Sequence, residues 1–206
     1  NQGEFERAAV WNNRLAAAAE AQGDARYRDI AVLNALTIRY DQGEVAVGDD
    51  MARYARTGRD WFVRAHAARL SALNLMDQGR VGEGLRLLSD AQADIPASDP
   101  FAATARAGIW EVVGMGLVDI DDVEGAVKAF RRFEIDYSNR AYPRPDFDSL
   151  YNLTRMALRL GDLASAERYS QAHNRVAQRS DLPTLSLYDA SLCAQVAGAR
   201  ENWSGV

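Results

Sequence analysis

Residues that could do chemistry are sparse in this sequence, and their spacing limits what they could do. His66 and His173 are the only histidines and stand more than a hundred residues apart. A metal site needs several ligands at short, fixed spacings, so neither imidazole begins one. His66 lies near Arg64 and Arg69 on an expected helix, and His173 on the apolar stripe of another, so both read as packed or solvated side chains. Asp119, Asp121 and Asp122 superficially suggest a calcium loop. That loop would need an oxygen ligand at its fifth position and Glu at its twelfth, where the sequence has Val123 and Phe130. The acidic cluster is instead expected to complement a helix N-terminus. GRVGEG, starting at Gly79, is not preceded by the strand that a dinucleotide fold requires. The single cysteine, Cys193, cannot form an intrachain disulfide, and its setting in LYDASLCAQVAGA predicts a buried, inert thiol. These residues predict no catalytic centre, no metal and no cofactor, so an enzyme is not expected.

The elements that would carry such residues announce themselves through a repeat. A glycine followed five positions later by a small residue recurs as Gly3 with Ala8, Gly43 with Gly48, Gly79 with Gly84, and Gly161 with Ala166. Asp121 with Ala126 is a degenerate copy, and Gly198 with Trp203 opens a last one. Successive starts are 40, 36, 42, 40 and 37 residues apart. A period in this range is the mark of a helical repeat array. Each repeat reads as helix A, the glycine, then helix B. The first B helix is expected over 4–22, followed by A and B pairs at 25–41 and 44–57, 60–77 and 80–93, 100–118 and 122–136, and 147–160 and 163–179. A final A helix is expected over 184–197. Asp99 followed by Pro100 reads as an N-cap with proline at the first helical position. The small sixth residue is expected where two helices cross closely. The connection YSNRAYPRPDF, over 137–147, is unusually long and rich in aromatic and Arg residues.

Composition sets the outer limits. The chain has 206 residues, 48% of them hydrophobic and 26% charged, as in an ordinary soluble protein. Its net charge is −5, and no Lys/Arg run exceeds two residues, so the footprint of a nucleic-acid binder is missing. Of its 24 basic residues only Lys128 is a lysine. No apolar run approaches the roughly 18 residues that a membrane helix needs; GIWEVVGMGLV is interrupted by Glu111. The sequence opens on the second helix of a repeat and stops early in another, so it is expected to be an excerpt of a longer protein, one repeat domain over 1–206.

Glycine with a small residue five positions on, between two helices, resembles the tetratricopeptide repeat. Eleven residues before the glycine, where that family favours a large apolar residue, stand Val32, Trp110, Leu150 and Leu187, whereas Ala68 departs. Seven before, where a small residue is usual, stand Ala72, Gly114 and Ser191, with Leu36 as a departure. The period exceeds the family's 34 residues by two to eight. The resemblance implies an all-α, right-handed superhelical solenoid of antiparallel helix pairs, with the A helices lining a concave groove. The groove positions are His66, Arg69, Glu111, Met115, Asp148, Tyr151, Asn152, Arg155, Tyr188 and Asp189. Asn34, Asn152 and Asp189 share one position, at which family members often hold a peptide backbone. Tyr142 and Arg144 in the long connection are further binding candidates.

What the resemblance implies is a binding or sensory module that takes a protein, a peptide or a small ligand in the groove. YPRPDFDSLYNL followed by LRLGDLASAERY is similar to the sensory part of certain bacterial diguanylate cyclases, which would place the repeats outside the inner membrane and make them signal to an attached output domain. The texture is also similar to the repeat region of ATP-dependent transcription activators, which are cytoplasmic. A scaffold that only spaces or dimerises its neighbours is the third expectation.

Overall fold

The computed structural model describes residues 2–44, 46–139, 147–179 and 183–203, with side chains described for 5–44, 46–139, 149–179 and 186–201. The described residues form ten α-helices and no strand. They are α1 (Gln2–Gln22), α2 (Ala25–Asp41), α3 (Val47–Thr57), α4 (Trp61–Asp77), α5 (Val81–Ala93), α6 (Ala102–Asp119), α7 (Val123–Ser138), α8 (Phe147–Arg159), α9 (Leu163–Ala177) and α10 (Pro183–Trp203).

The joints between helices explain the repeat. Gly43, Gly79 and Gly161 have φ of 93°, 76° and 72°, and Asp121, in the degenerate copy, takes the same left-handed conformation at φ 60°. Asp tolerates this region through its short polar side chain, though at a cost that glycine does not carry. The residue after each one donates back to the carbonyl five residues earlier: Glu44 to Arg39 at 3.0 Å, Arg80 to Leu75 at 2.8 Å, Asp122 to Leu117 at 2.9 Å and Asp162 to Ala157 at 2.9 Å. That closure satisfies carbonyls that a helix end leaves open. At two of these joints, and after Gly23 with φ 66°, the next residue is an aspartate that caps the following helix. Asp24 accepts from Tyr27 N at 3.1 Å, Asp122 from Gly125 N at 2.9 Å and Asp162 from Ser165 N at 3.1 Å. One residue thus ends a helix and its neighbour starts the next, which fixes a tight turn. Within the acidic cluster, then, Asp121 bends the chain, Asp122 caps α7, and Asp119 pairs with Arg159 at 2.9 Å.

Three expectations are corrected. Gly198 does not open a new turn: α10 runs through it to Trp203, carried by the good helix formers Ala197, Ala199, Arg200 and Glu201. Gly3 likewise lies inside α1. Cys193 is exposed. The buried stripe of α10 runs through Asp189, Leu192 and Val196, at helical spacing, and Cys193 falls one step off it. The Asp99 cap is present in a looser form. Its carboxylate accepts from Phe101 N at 2.8 Å within a turn, and α6 begins at Ala102.

The chain divides into two compact units, Asn1–Ile109 and Trp110–Val206. In the first, α1 packs on α2, α2 on α3 and α4, and α4 on α3 and α5. Its core holds Leu33, Leu36, Val47, Met51, Val63 and Ala67. Close crossings need the small residues there: a Cβ on Gly84 would sit 3.1 Å from the Ala72 carbonyl oxygen, and one on Gly48 would sit 2.0 Å from Asn74 Nδ2. In the second unit, α8 packs on α7, α9 and α10, and α9 on α10. Phe130, Phe133, Leu153, Ala157, Ala166 and Leu192 are buried in it. The expected large apolar positions divide: Leu150 is buried, but Val32 and Leu187 are 41% and 72% exposed.

Candidate functional site

In the first unit the A-type helices meet around a cleft of about 290 Å³, lined by Ile30 and Asn34 from α2, Phe62, Ala65, His66 and Arg69 from α4, and Thr104, Ala105 and Gly108 from α6. The start of α4 is held rigidly. Asp60 caps it, accepting from Phe62 N at 2.8 Å, and takes two bonds from Arg26 at 3.0 and 2.7 Å. Burial works against that carboxylate's charge, yet Arg26 and the backbone N–H groups outweigh it and hold its pKa below the usual range. Phe62 is thereby set edge-on to Phe101, with ring centroids 5.8 Å apart. One helical turn on, His66 faces the cleft. Burial, and then the nearby Arg69 charge, push its pKa down to about 4, so the imidazole is neutral near pH 7.

The second unit carries the denser polar arrangement. Glu111 on α6 is buried and accepts a hydrogen bond from Asn152 Nδ2 on α8. Tyr151 packs edge-on against Tyr188 of α10 at 5.2 Å, lies 6.3 Å from the His173 ring and has the Arg155 guanidinium 5.5 Å from its own ring centre. Beneath this layer His173 Nδ1 lies 3.0 Å from Asp189 Oδ1, and Asn174 donates to Asp189 Oδ2 at 2.5 Å. Asn174 in turn accepts from Gln178 at 2.8 Å. A His–Asp pair is part of many hydrolytic sites, but this imidazole is fully buried, and what it does here is tie α9 to α10. Beside the tyrosines is a pocket of about 110 Å³ lined by Met115, Val118, Asp119, Asn152, Arg155, Met156 and Arg159.

The groove candidates therefore fall into three sets. His66 and Arg69 line one cleft. Asn152 and Arg155 line the other pocket, and Arg155 lies against Tyr151, which in turn packs on Tyr188. Glu111 and Asp189, expected on a surface, are instead buried acceptors that position Asn152 and His173. Tyr142 and Arg144 lie outside the described residues, as does the side chain of Asp148. Sequence reasoning passed over Asn174 and read His173 only as a packed or solvated side chain. The signal that could have found the latter is a histidine on a buried stripe, which needs a polar partner. Among the described residues no cluster of three or more His, Cys, Asp or Glu is arranged to hold a metal, and no helix is long and apolar enough to cross a membrane.

No protein-family model matches the sequence, and no curated protein or solved structure is significantly similar to it.

Proposed function

We propose that the chain is a non-catalytic recognition module built from tetratricopeptide-like antiparallel helix pairs stacked in a right-handed solenoid. Two observations support the architectural part. The left-handed joints recur at the repeat period, and helices pack mainly on their sequence neighbours within each unit. A solenoid presents side chains on rigid helices, so recognition costs little ordering of the receptor.

The observation that carries the functional reading is the set of Tyr151, Tyr188 and Arg155 beside the small pocket of the second unit. Tyr and Arg are the residue types that dominate recognition surfaces. Arg155 is exposed and makes no ion pair among the described residues, so its guanidinium offers a bidentate site for a carboxylate. Met115, Val118 and Met156 provide the adaptable apolar wall of a pocket about the size of one side chain, whose other lining residues are Asp119, Asn152, Arg155 and Arg159. The partner that fits is a peptide segment with an acidic residue next to a medium-sized apolar one. The resemblance to sensory repeats adds the expectation that binding is passed to an attached output domain, such as a diguanylate cyclase.

The test is a random-peptide display selection on the intact chain and on a Tyr151→Ala/Arg155→Ala double variant whose helical circular dichroism is unchanged. Enrichment of acidic–apolar sequences on the parent and not on the variant is expected. Equal enrichment on both, or none on the parent, overturns the reading.

A further inference from the structure

The cleft in the first unit shares no residue with the peptide site, and its chemistry differs. Its walls are Ile30, Phe62, Ala65, Ala105 and the bare backbone of Gly108. Asn34, His66 and Thr104 interrupt this apolar lining, and among the described residues none of the three side chains has a hydrogen-bond partner. All three are uncharged near pH 7, and each offers a donor and an acceptor. No carboxylate lines the cleft. Its one charged group, Arg69, already has a partner of its own and would repel a cation. At about 290 Å³ the space lies at the lower end of the roughly 300–1,000 Å³ typical of small-molecule sites. His66 is partly covered on this wall, and burial, then the Arg69 charge, push its pKa down to about 4.

We infer that this cleft is a binding site for a small, uncharged, mainly apolar molecule with one amide-like polar end, held by Asn34, His66 and Thr104. The hydrocarbon or aromatic body packs against Ile30, Phe62 and Ala105. The polar end exchanges hydrogen bonds with the carboxamide, the neutral imidazole and the hydroxyl, which replace the bonds it leaves in water. A charged head finds no unspent counter-charge in the cleft, and burying it unpaired is costly.

The test uses three probes of one shape and different charge: benzamide, benzoate and benzylamine. Each is titrated into the intact chain and followed by amide chemical shifts. Benzamide is expected to move resonances of α2, α4 and α6 around Asn34, His66 and Gly108 in a saturable way, with benzoate and benzylamine weaker. Thr104→Val keeps the side-chain shape, removes one polar group and is expected to weaken benzamide about tenfold. Gly108→Val narrows the cleft, since a Cβ there already lies 3.2 Å from Arg69 Cδ, and is expected to abolish the response. The inference is overturned if benzamide causes no saturable shift in these helices, if benzoate or benzylamine binds more tightly, or if Thr104→Val leaves benzamide affinity unchanged. Because Tyr151 and Arg155 are untouched by these variants, failure here is distinguishable from failure of the peptide reading.

Discussion

Mild acid should destabilise the first unit through His66. His66 is neutral in the folded chain down to about pH 4, whereas an unfolded histidine titrates near 6.5. Above pH 6.5 both states leave it neutral and it costs nothing. As pH falls below 6.5 the unfolded state takes up a proton that the folded state refuses, so stability is lost, and the loss levels off as pH passes the folded value. The full displacement is worth about 3.4 kcal/mol at about 1.36 kcal/mol per pH unit. Between pH 7.5 and 5.0 the linkage gives about 2 kcal/mol. The ring is only partly covered, so solvent screening reduces this, and about 1–2 kcal/mol is expected. The assay is urea unfolding followed by the fluorescence of Trp61, at the start of the same helix, with Trp11, Trp110 and Trp203 replaced by Phe. His66→Gln in that background supplies the reference, since carboxylates titrate in both proteins and cancel. The parent should lose about 1–2 kcal/mol more than the variant over this range. Equal losses would mean that the imidazole takes up its proton as readily in the folded chain as in the unfolded one, and that burial does not displace its pKa.

Three further outcomes follow from the geometry. At the joints, Gly161→Ala forces a methyl-bearing residue to φ 72° and should cost about 1 kcal/mol, whereas Asp121→Gly relieves φ 60° and should stabilise by several tenths of a kcal/mol, both read from urea midpoints. Asp189→Ala removes the acceptor of both His173 and Asn174 and should destabilise the second unit by about 2–4 kcal/mol, and a His173→Leu/Asp189→Leu pair should recover part of the loss. Because Cys193 is exposed, it should react with a disulfide reagent under native conditions at close to the rate seen in urea; strong protection would contradict its placement.

Much of the fold was legible because helix ends are local. Ala25–Asp41 ends where the sequence has a turn glycine within two residues, and Asp24, Asp122 and Asp162 cap helices directly after a left-handed residue. Those signals depend on a few adjacent residues, so a single sequence reveals them. Gly198 shows the limit. A glycine ends a helix only if the following residues leave it, and here Ala199, Arg200 and Glu201 continue it.

The candidate site was legible in part. Helical spacing placed Arg155 one turn on from both Tyr151 and Asn152, on one side of the helix, and the tetratricopeptide resemblance marked that side as A-type. It could not tell that Glu111 would be buried under Asn152, or that Asp189 would meet His173 rather than solvent. Burial of a helix face depends on which neighbour packs against it, and that neighbour comes from a remote part of the chain. Cys193 and Leu192 make the same point: adjacent in sequence and similar in polarity, they lie about 100° apart around α10, and only Leu192 faces α8 and α9. The sequence alone determined helix type, helix ends and the repeat, through bonds closed within a few residues. Tertiary packing alone decided which polar groups lost water, and with that which became buried anchors, such as Glu111, His173 and Asp189, and which, such as Arg155 and Tyr188, stayed exposed.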